Sequence, residues 1–488
     1  MSLKQKTVNG LIWSFIDNIA NIGIQFVISI ILARLLTPHE FGLIGMIMIF
    51  IAISQSVVDS GFSQALIRKT DCTEIDYSTV FFFNFLIGLC IYLVLFFSSG
   101  VISSFFNEPQ LNKIIKVFSI IIIVESFTII QRTILTKRID FKLQAKISVI
   151  STIGAGIISI IMAYNGYGVW SLVALHVVRR FLNSSFLWIW NRWWPRLIFS
   201  TESFNELFGF GSKLLLSGLI DTIYRNVYYL VIGKYYSAQD LGYFTRADEF
   251  KKIPSYNLNN IIGRVTYPIL ASIQDDKTRL KMNYQKIIRS TMFVTFILML
   301  GMAAVSKSMI LTLIGEKWLP SVIYLRMLCF IGMMYPLHAL NLNMLKIQGR
   351  SDLFLKLEVI KKTLAIPTIA IGVIFGIKIM ILGMIVKTFI SYYINSYWSG
   401  KMIGYSFKQQ VIDILPSFGL AFTMMVIVYL LELVVPFAPL WMFLIQISLG
   451  VIFVLSFCEI LKFKDYMYIK KLLVDKLNEF KELKKRSN

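Results

Sequence analysis

A polytopic all-α membrane protein is the fold class that three features of the sequence predict. Of its 488 residues 56% are apolar and only 16% are charged, far less charge than a soluble chain of this size carries. Apolar runs of about 20 residues, long enough to cross a hydrocarbon core of roughly 30 Å, recur from one end of the chain to the other. The basic residues between those runs collect on alternate loops.

About 14 transmembrane helices are expected, over residues 10–33, 41–66, 77–100, 114–135, 145–164, 167–190, 209–233, 241–269, 287–306, 321–345, 358–376, 379–399, 411–435 and 439–461. The first is too long, and with Asp17, Asn18 and Asn21 too polar, for a cleaved signal peptide. Counting from a cytoplasmic N-terminus, the inner loops hold Arg68, Lys69, Lys137, Arg138, Arg192, Arg196, Lys277, Arg279, Arg350 and Lys356. The outer loops hold only Arg34, Lys113, Lys234, Lys307, Lys317 and Lys378. This is the positive-inside bias; with an even helix count it places both termini in the cytoplasm. The net charge of +22 therefore reports membrane orientation and not nucleic-acid binding, and the basic tail 463–488 is expected to lie against anionic headgroups.

Other chemistries find no support. Four cysteines and three histidines are scattered without metal-ligand spacing, so neither metal nor cofactor is expected. No GxxxxGK[ST] loop is present, no soluble domain interrupts the helices, and no catalytic residue stands out. A glycan polymerase would need acid–base groups on the outer side, where Glu316, Lys317 and Trp318 form the only dense cluster and read as an interfacial anchor.

Two copies of one pattern lie about 200 residues apart. LLTPHEFGL (35–43) falls on YYSAQDLGY (235–243), aligning Thr37 with Ser237, Glu40 with Asp240 and Gly42 with Gly242. The offset spans six helices, so parallel repeats of equal orientation are expected. The predicted organisation is an N-terminal six-helix lobe (1–190), a cytoplasmic linker (191–208), a C-terminal six-helix lobe (209–400), an extra helix pair (401–462) and the tail.

Both repeats open on a helix with a polar stripe. Ser14, Asp17, Asn18, Asn21 and Gln25 in the first, and Asp221, Tyr224, Arg225 and Tyr228 in the seventh, follow the i, i+3, i+4, i+7 spacing of one helix face. Such a face does not sit in acyl chains; it meets protein or a wet cavity. Arg225 lies about 12 Å and Arg246 about 8 Å inside the outer helix ends, at 1.5 Å per residue, on neighbouring helices of one half. Asp221 can hold Arg225 by an i, i+4 contact. Arg264 follows Arg246 along the eighth helix, where Pro254 is a candidate bend. Arg179 and Arg180 lie about 15 Å from the inner end of the sixth, deep for snorkelling. Arginine binds phosphate oxygens through two parallel hydrogen bonds and stays charged in a low dielectric. These side chains therefore read either as an anion site or as buried ion pairs that join helices.

The polar first helix, ARLLTPHEFGLIGM (33–46), its echo LVIGKYYSAQDLGYFTRADEFKKIPS (230–255) and VTYPILASIQDD (265–276) together resemble the polysaccharide transporters of the MOP superfamily, the Wzx-type oligosaccharide flippases. The resemblance implies two lobes that open alternately to either side of a bacterial cytoplasmic (inner) membrane. It implies a cargo of undecaprenyl-pyrophosphate-linked oligosaccharide moved to the outer leaflet for O-antigen, capsule or exopolysaccharide, with membrane lipid and other glycan-assembly proteins as partners. A cationic lumen of Arg225, Arg246 and Arg264 would suit the diphosphate. Two alternatives stand beside it: a MATE-like exporter of small molecules, whose lumen would favour acids, and an integral-membrane glycan polymerase.

Overall fold

The computed structural model describes residues 3–472 and 474–475, the side chains of 3–12, 256–257 and 259–265 excepted. The described residues contain helices and no strands. In chain order these are α1 (Leu3–Leu35), α2 (Pro38–Asp59), α3 (Phe62–Arg68), α4 (Glu74–Phe106), α5 (Gln110–Phe118), α6 (Ile120–Lys137), α7 (Phe141–Tyr164), α8 (Val169–Asn191), α9 (Thr201–Tyr235) and α10 (Ala238–Ala271). They continue as α11 (Lys277–Ala304), α12 (Ser306–Leu313), α13 (Ser321–Gly332), α14 (Tyr335–Ile347), α15 (Ser351–Thr363), α16 (Ala365–Phe375), α17 (Ile377–Ile403), α18 (Phe407–Val434) and α19 (Pro439–Ile460).

All 14 expected segments are helical, and among the described residues ten are long and apolar enough to span a bilayer. The count of 14 is therefore not reached on that measure. The four that fall short are α8, α9, α10 and the pair α15–α16. Charges dilute the apolar character of the first three: Arg179 and Arg180 in α8, Asp221 and Arg225 in α9, and Asp240, Arg246, Asp248, Glu249, Lys251 and Lys252 in α10. The last is interrupted at Leu364 into two short helices.

The chain divides into two compact units, Met1–Thr245 and Arg246–Asn488. In the first, α1 packs on α7, α7 on α8, α4 on α6, and α9 on α2 and α3. Leu135, Ile147 and Leu187 form one of its apolar clusters. In the second, α11 packs on α18, α16 on α17 and α12 on α19, and Leu345, Leu353 and Leu357 cluster together. Large apolar side chains such as Phe97, Val101 and Val434 remain exposed, as a bilayer-facing surface requires.

The repeat is visible in the order and capping of the helices. α1 (33 residues) and α9 (35 residues) are each followed by a helix that starts at Pro38 and at Ala238. At the first start the Thr37 N–H donates to Glu40 Oε2 (2.6 Å) and the Glu40 N–H donates back to the Thr37 hydroxyl (3.4 Å). At the second, the Ser237 N–H donates to Asp240 Oδ2 (3.3 Å) and the Asp240 N–H donates to the Ser237 hydroxyl (3.0 Å). Both are capping boxes, which satisfy backbone donors that a helix start leaves open. α9 begins at Thr201, inside the expected linker, because Ser200 caps it by accepting from the Ser203 N–H (3.3 Å). α10 runs through Pro254 without interruption.

The two repeat glycines meet each other's helix starts. A Cβ on Gly42 would lie 1.6 Å from the Ala238 carbonyl oxygen, and a Cβ on Gly242 would lie 1.9 Å from that of Pro38. The obstacle in each case is backbone, which cannot swing aside as a side chain would. Gly42→Ala and Gly242→Ala are each expected to lower stability by about 1–3 kcal/mol, read as a lower midpoint of thermal unfolding in detergent. Gly23→Ala, where no atom lies within 4 Å of the added carbon, should leave that midpoint unchanged or raise it.

Candidate functional site

In the first unit, the polar face of α1 is partly committed to helix packing. Asn21 is buried; its amide nitrogen donates to the Asp17 carbonyl (3.0 Å) and to the Asp17 carboxylate. The Thr152 hydroxyl on α7 reaches Asn21 Oδ1 at 2.8 Å. This chain fastens α1 to α7 and leaves Asp17 half-buried, with Gln25 exposed further along the helix.

α6 and α8 bring a second charged group together. Glu125 is buried and takes two guanidinium groups, Arg180 Nη1 at 2.9 Å and Arg132 Nη1 at 3.4 Å. Arg132 also donates to Asn183 Oδ1 at 3.3 Å. Arg180 thus stands as an inter-helix ion pair in this structure. Its neighbour Arg179 is half-buried, is within electrostatic reach of Asp17, Arg132 and Arg180, and makes no hydrogen bond or ion pair among the described residues.

α9 carries the stripe from Asp221 to Tyr228. Tyr228 is buried, Asp221 and Tyr224 are half-buried, and the Arg225 side chain is exposed. The expected i, i+4 contact between Asp221 and Arg225 is not formed, and Arg225 makes no hydrogen bond or ion pair among the described residues. The ends of α9 are held firmly on either side of this face. At its start, Lys69 Nζ lies 2.8 Å from Glu206 Oε2 and 3.1 Å from Asp76 Oδ1, and hydrogen bonding to Glu206 raises the Lys69 pKa above its ordinary value. Gly61 and Gly211 are in close backbone approach there. At its end, Lys234 donates to the Phe105 carbonyl at 2.6 Å. Between them the hydroxyls of Thr222 and Ser56 on α2 are 3.0 Å apart.

Arg246 belongs to the second unit and Arg225 to the first. It is buried, its Nη1 lies 2.9 Å from Glu249 Oε2, and its guanidinium lies 5.5 Å from the centroid of the fully buried Trp318 ring. An ion pair and a cation–π contact both offset its burial. Trp318, read as an interfacial anchor, is thus an internal one. The Arg264 side chain lies outside the described residues.

Several buried acids were missed, Asp76, Asp465 and Asp248 among them. Asp248 on α10 is buried between Lys251 and Lys252, the latter at 2.7 Å. The sequence DEFKK carries that signal, an acid followed by bases at i+3 and i+4. Among the described residues no group of three or more His, Cys, Asp or Glu side chains is placed to hold a metal ion.

The fold is shared with two solved membrane transporters. The inward-closed structure of the lipid II flippase MurJ matches with a TM-score of 0.76 at 18% identity, covering 94% of this chain and all of that one. An inward-facing multidrug-resistance MATE transporter matches with a TM-score of 0.62 at 13% identity, covering 78% and 94% of the two chains. Residues 31–323 match the family described as Polysaccharide biosynthesis protein, and the chain belongs to that family. The lipopolysaccharide biosynthesis protein WzxC of Escherichia coli (strain K12) is 27% identical over 448 residues, covering 89% of each chain. The teichuronic acid biosynthesis protein TuaB of Bacillus subtilis (strain 168) is 27% identical, covering 72% of this chain and 73% of its own. The succinoglycan biosynthesis transport protein ExoT of Rhizobium meliloti (strain 1021) is 26% identical, covering 63% and 62%.

The geometry separates two kinds of arginine. Glu125→Gln leaves Arg132 and Arg180 without their shared carboxylate and is expected to cost about 1–3 kcal/mol. Arg179→Gln removes no ion pair and should leave the thermal unfolding midpoint near that of the unaltered protein.

Proposed function

We propose that this protein is a lipid-linked oligosaccharide flippase of the bacterial cytoplasmic membrane. It carries undecaprenyl-pyrophosphate-linked glycan units from the inner to the outer leaflet for assembly of O-antigen, capsule or exopolysaccharide. Two six-helix lobes, residues 1–190 and 209–400, alternate access around a cationic cavity, with both chain termini in the cytoplasm and no covalent chemistry of its own. Membership of a polysaccharide biosynthesis family and the flippase and transporter names of its relatives support the reading.

The observation that carries it is Arg225. A guanidinium in the middle of a helix of the bundle, beside Tyr224 and a half-buried acid and without an ion pair among the described residues, is expensive to keep in a membrane. A diphosphate offers it two parallel charge-assisted hydrogen bonds. Arg179 has the same standing on α8. The tyrosines present flat amphipathic faces to sugar rings, and the polyprenyl tail stays in lipid while the headgroup crosses. The MATE-like alternative draws on the shared fold, but an exporter of cationic drugs would be served by acids where this chain has Arg225 and Arg179, neither in an ion pair among the described residues.

The test is transport of a fluorescent undecaprenyl-pyrophosphate oligosaccharide in proteoliposomes. Arg225→Ala is expected to slow transport by about ten- to a hundredfold, the loss of one charge-assisted hydrogen-bonding group, with gel filtration showing a folded protein. Arg225→Lys should recover only part of that loss, because lysine lacks the planar fork. Normal transport by both variants would return Arg225 to a structural role.

A further inference from the structure

The segment between α8 and α9, Arg192 to Ser200, is non-helical and would ordinarily be a flexible cytoplasmic connection. It is instead pinned along its length to the first turns of α4 and to α6. The Trp193 indole N–H donates to Glu74 Oε2 at 2.8 Å, and Gln131 Nε2 donates to the Trp193 carbonyl at 2.9 Å. The Arg196 N–H donates to the Ser78 hydroxyl at 2.9 Å, and the Ser200 N–H to the Thr79 hydroxyl at 3.1 Å. Ser78 and Thr79 are fully buried.

The opposite side of the strap is apolar and uncovered. Trp194 is 71% exposed, Leu197 92% and Phe199 51%, with exposed Arg192 just before them and exposed Arg196 among them. Ser78 and Thr79 lie about one turn inside α4 from Glu74, and that helix is long and apolar enough to span the bilayer. The strap therefore runs at the depth of the headgroups, beside a membrane helix.

We propose that this strap is a lipid-binding surface embedded in the cytoplasmic leaflet interface, recognising anionic phospholipid. Three arguments select that occupant. A backbone lying against the edge of the hydrocarbon gains from having its polar groups satisfied by protein, and Ser78, Thr79 and Gln131 satisfy three of them here. Tryptophan beside basic residues is the composition of a cytoplasmic membrane interface. Two exposed guanidinium groups complement a negative headgroup layer, whereas water would leave the large apolar side chains of Leu197 and Trp194 unfavourably exposed. The inference is independent of the cargo.

The experiment uses the full chain with Cys72, Cys90, Cys329 and Cys458 replaced by serine and one environment-sensitive NBD label. The label is placed in turn at Leu197→Cys, at Trp194→Cys and, as a reference, at Asp275→Cys in the exposed loop before α11. In vesicles of phosphatidylcholine and phosphatidylglycerol, labels at 197 and 194 should emit to the blue of the reference. They should be quenched by doxyl-labelled lipid and shielded from aqueous iodide. Doxyl-phosphatidylglycerol should quench more strongly than doxyl-phosphatidylcholine, and Arg192→Gln with Arg196→Gln should reduce that preference by roughly fivefold per arginine. Labels as wet as the one at 275 would overturn the proposal, as would labels that are dry yet unquenched by doxyl lipid, which would mark a protein-covered face. Equal quenching by the two doxyl lipids would overturn the anionic selectivity.

Discussion

The reciprocal crossing at Gly42 and Gly242 is the contact on which the first unit depends. Each glycine lets the backbone of the other helix start approach to a distance that any Cβ would forbid. Two capping boxes hold those starts in shape. The crossing joins α2 to the beginning of α10 and so draws the α9–α10 corner onto the N-terminal helices. Lys69, Asp76 and Glu206 hold the other end of α9, and the polar middle of that helix is presented from a rod held at both ends.

Charge compensation is the second constraint, and it sorts the arginines. Arg180 and Arg132 converge on Glu125, and Arg246 has Glu249 and the Trp318 ring. Arg225 and Arg179 have no ion pair among the described residues. Hydrocarbon penalises an uncompensated guanidinium, and under the proposed function the diphosphate of the cargo would supply the missing anion. The distinction rests on where neighbouring helices put their carboxylates, which helix periodicity alone does not report.

Much of this was legible in the chain. The 14 segments expected from apolar length are helical, although the structure divides several of them, as at α5–α6, α13–α14 and α15–α16, and the Thr37/Ser237, Glu40/Asp240 and Gly42/Gly242 matches predicted a repeat whose caps and glycines are equivalent in the structure. The i, i+3, i+4 stripes on α1 and α9 were legible for the same reason, since spacing along one helix is a one-dimensional property. Pairings between helices were not. Asn21 with Thr152, and Arg180 with Glu125, join residues 131 and 55 positions apart, and nothing local marks them. The Asp221–Arg225 contact failed in the other direction: the spacing permits it, but Arg225 is exposed and does not fold back. Trp318 was misplaced because an aromatic beside Glu316 and Lys317 has the composition of an anchor, and only packing shows that its ring lies against Arg246.

The glycine crossing also carries a record of how such a chain can arise. Each side offers the same patch, a capped helix start with a glycine four residues into the helix, and receives the same patch in return. That is the form of an isologous contact between identical subunits. A protein of half this length, bearing one copy of the motif, would already hold the surface needed to dimerise with itself. Duplication and fusion would then convert that dimer into a single chain without inventing a new interface, and afterwards each copy is free to diverge everywhere except where the two backbones touch.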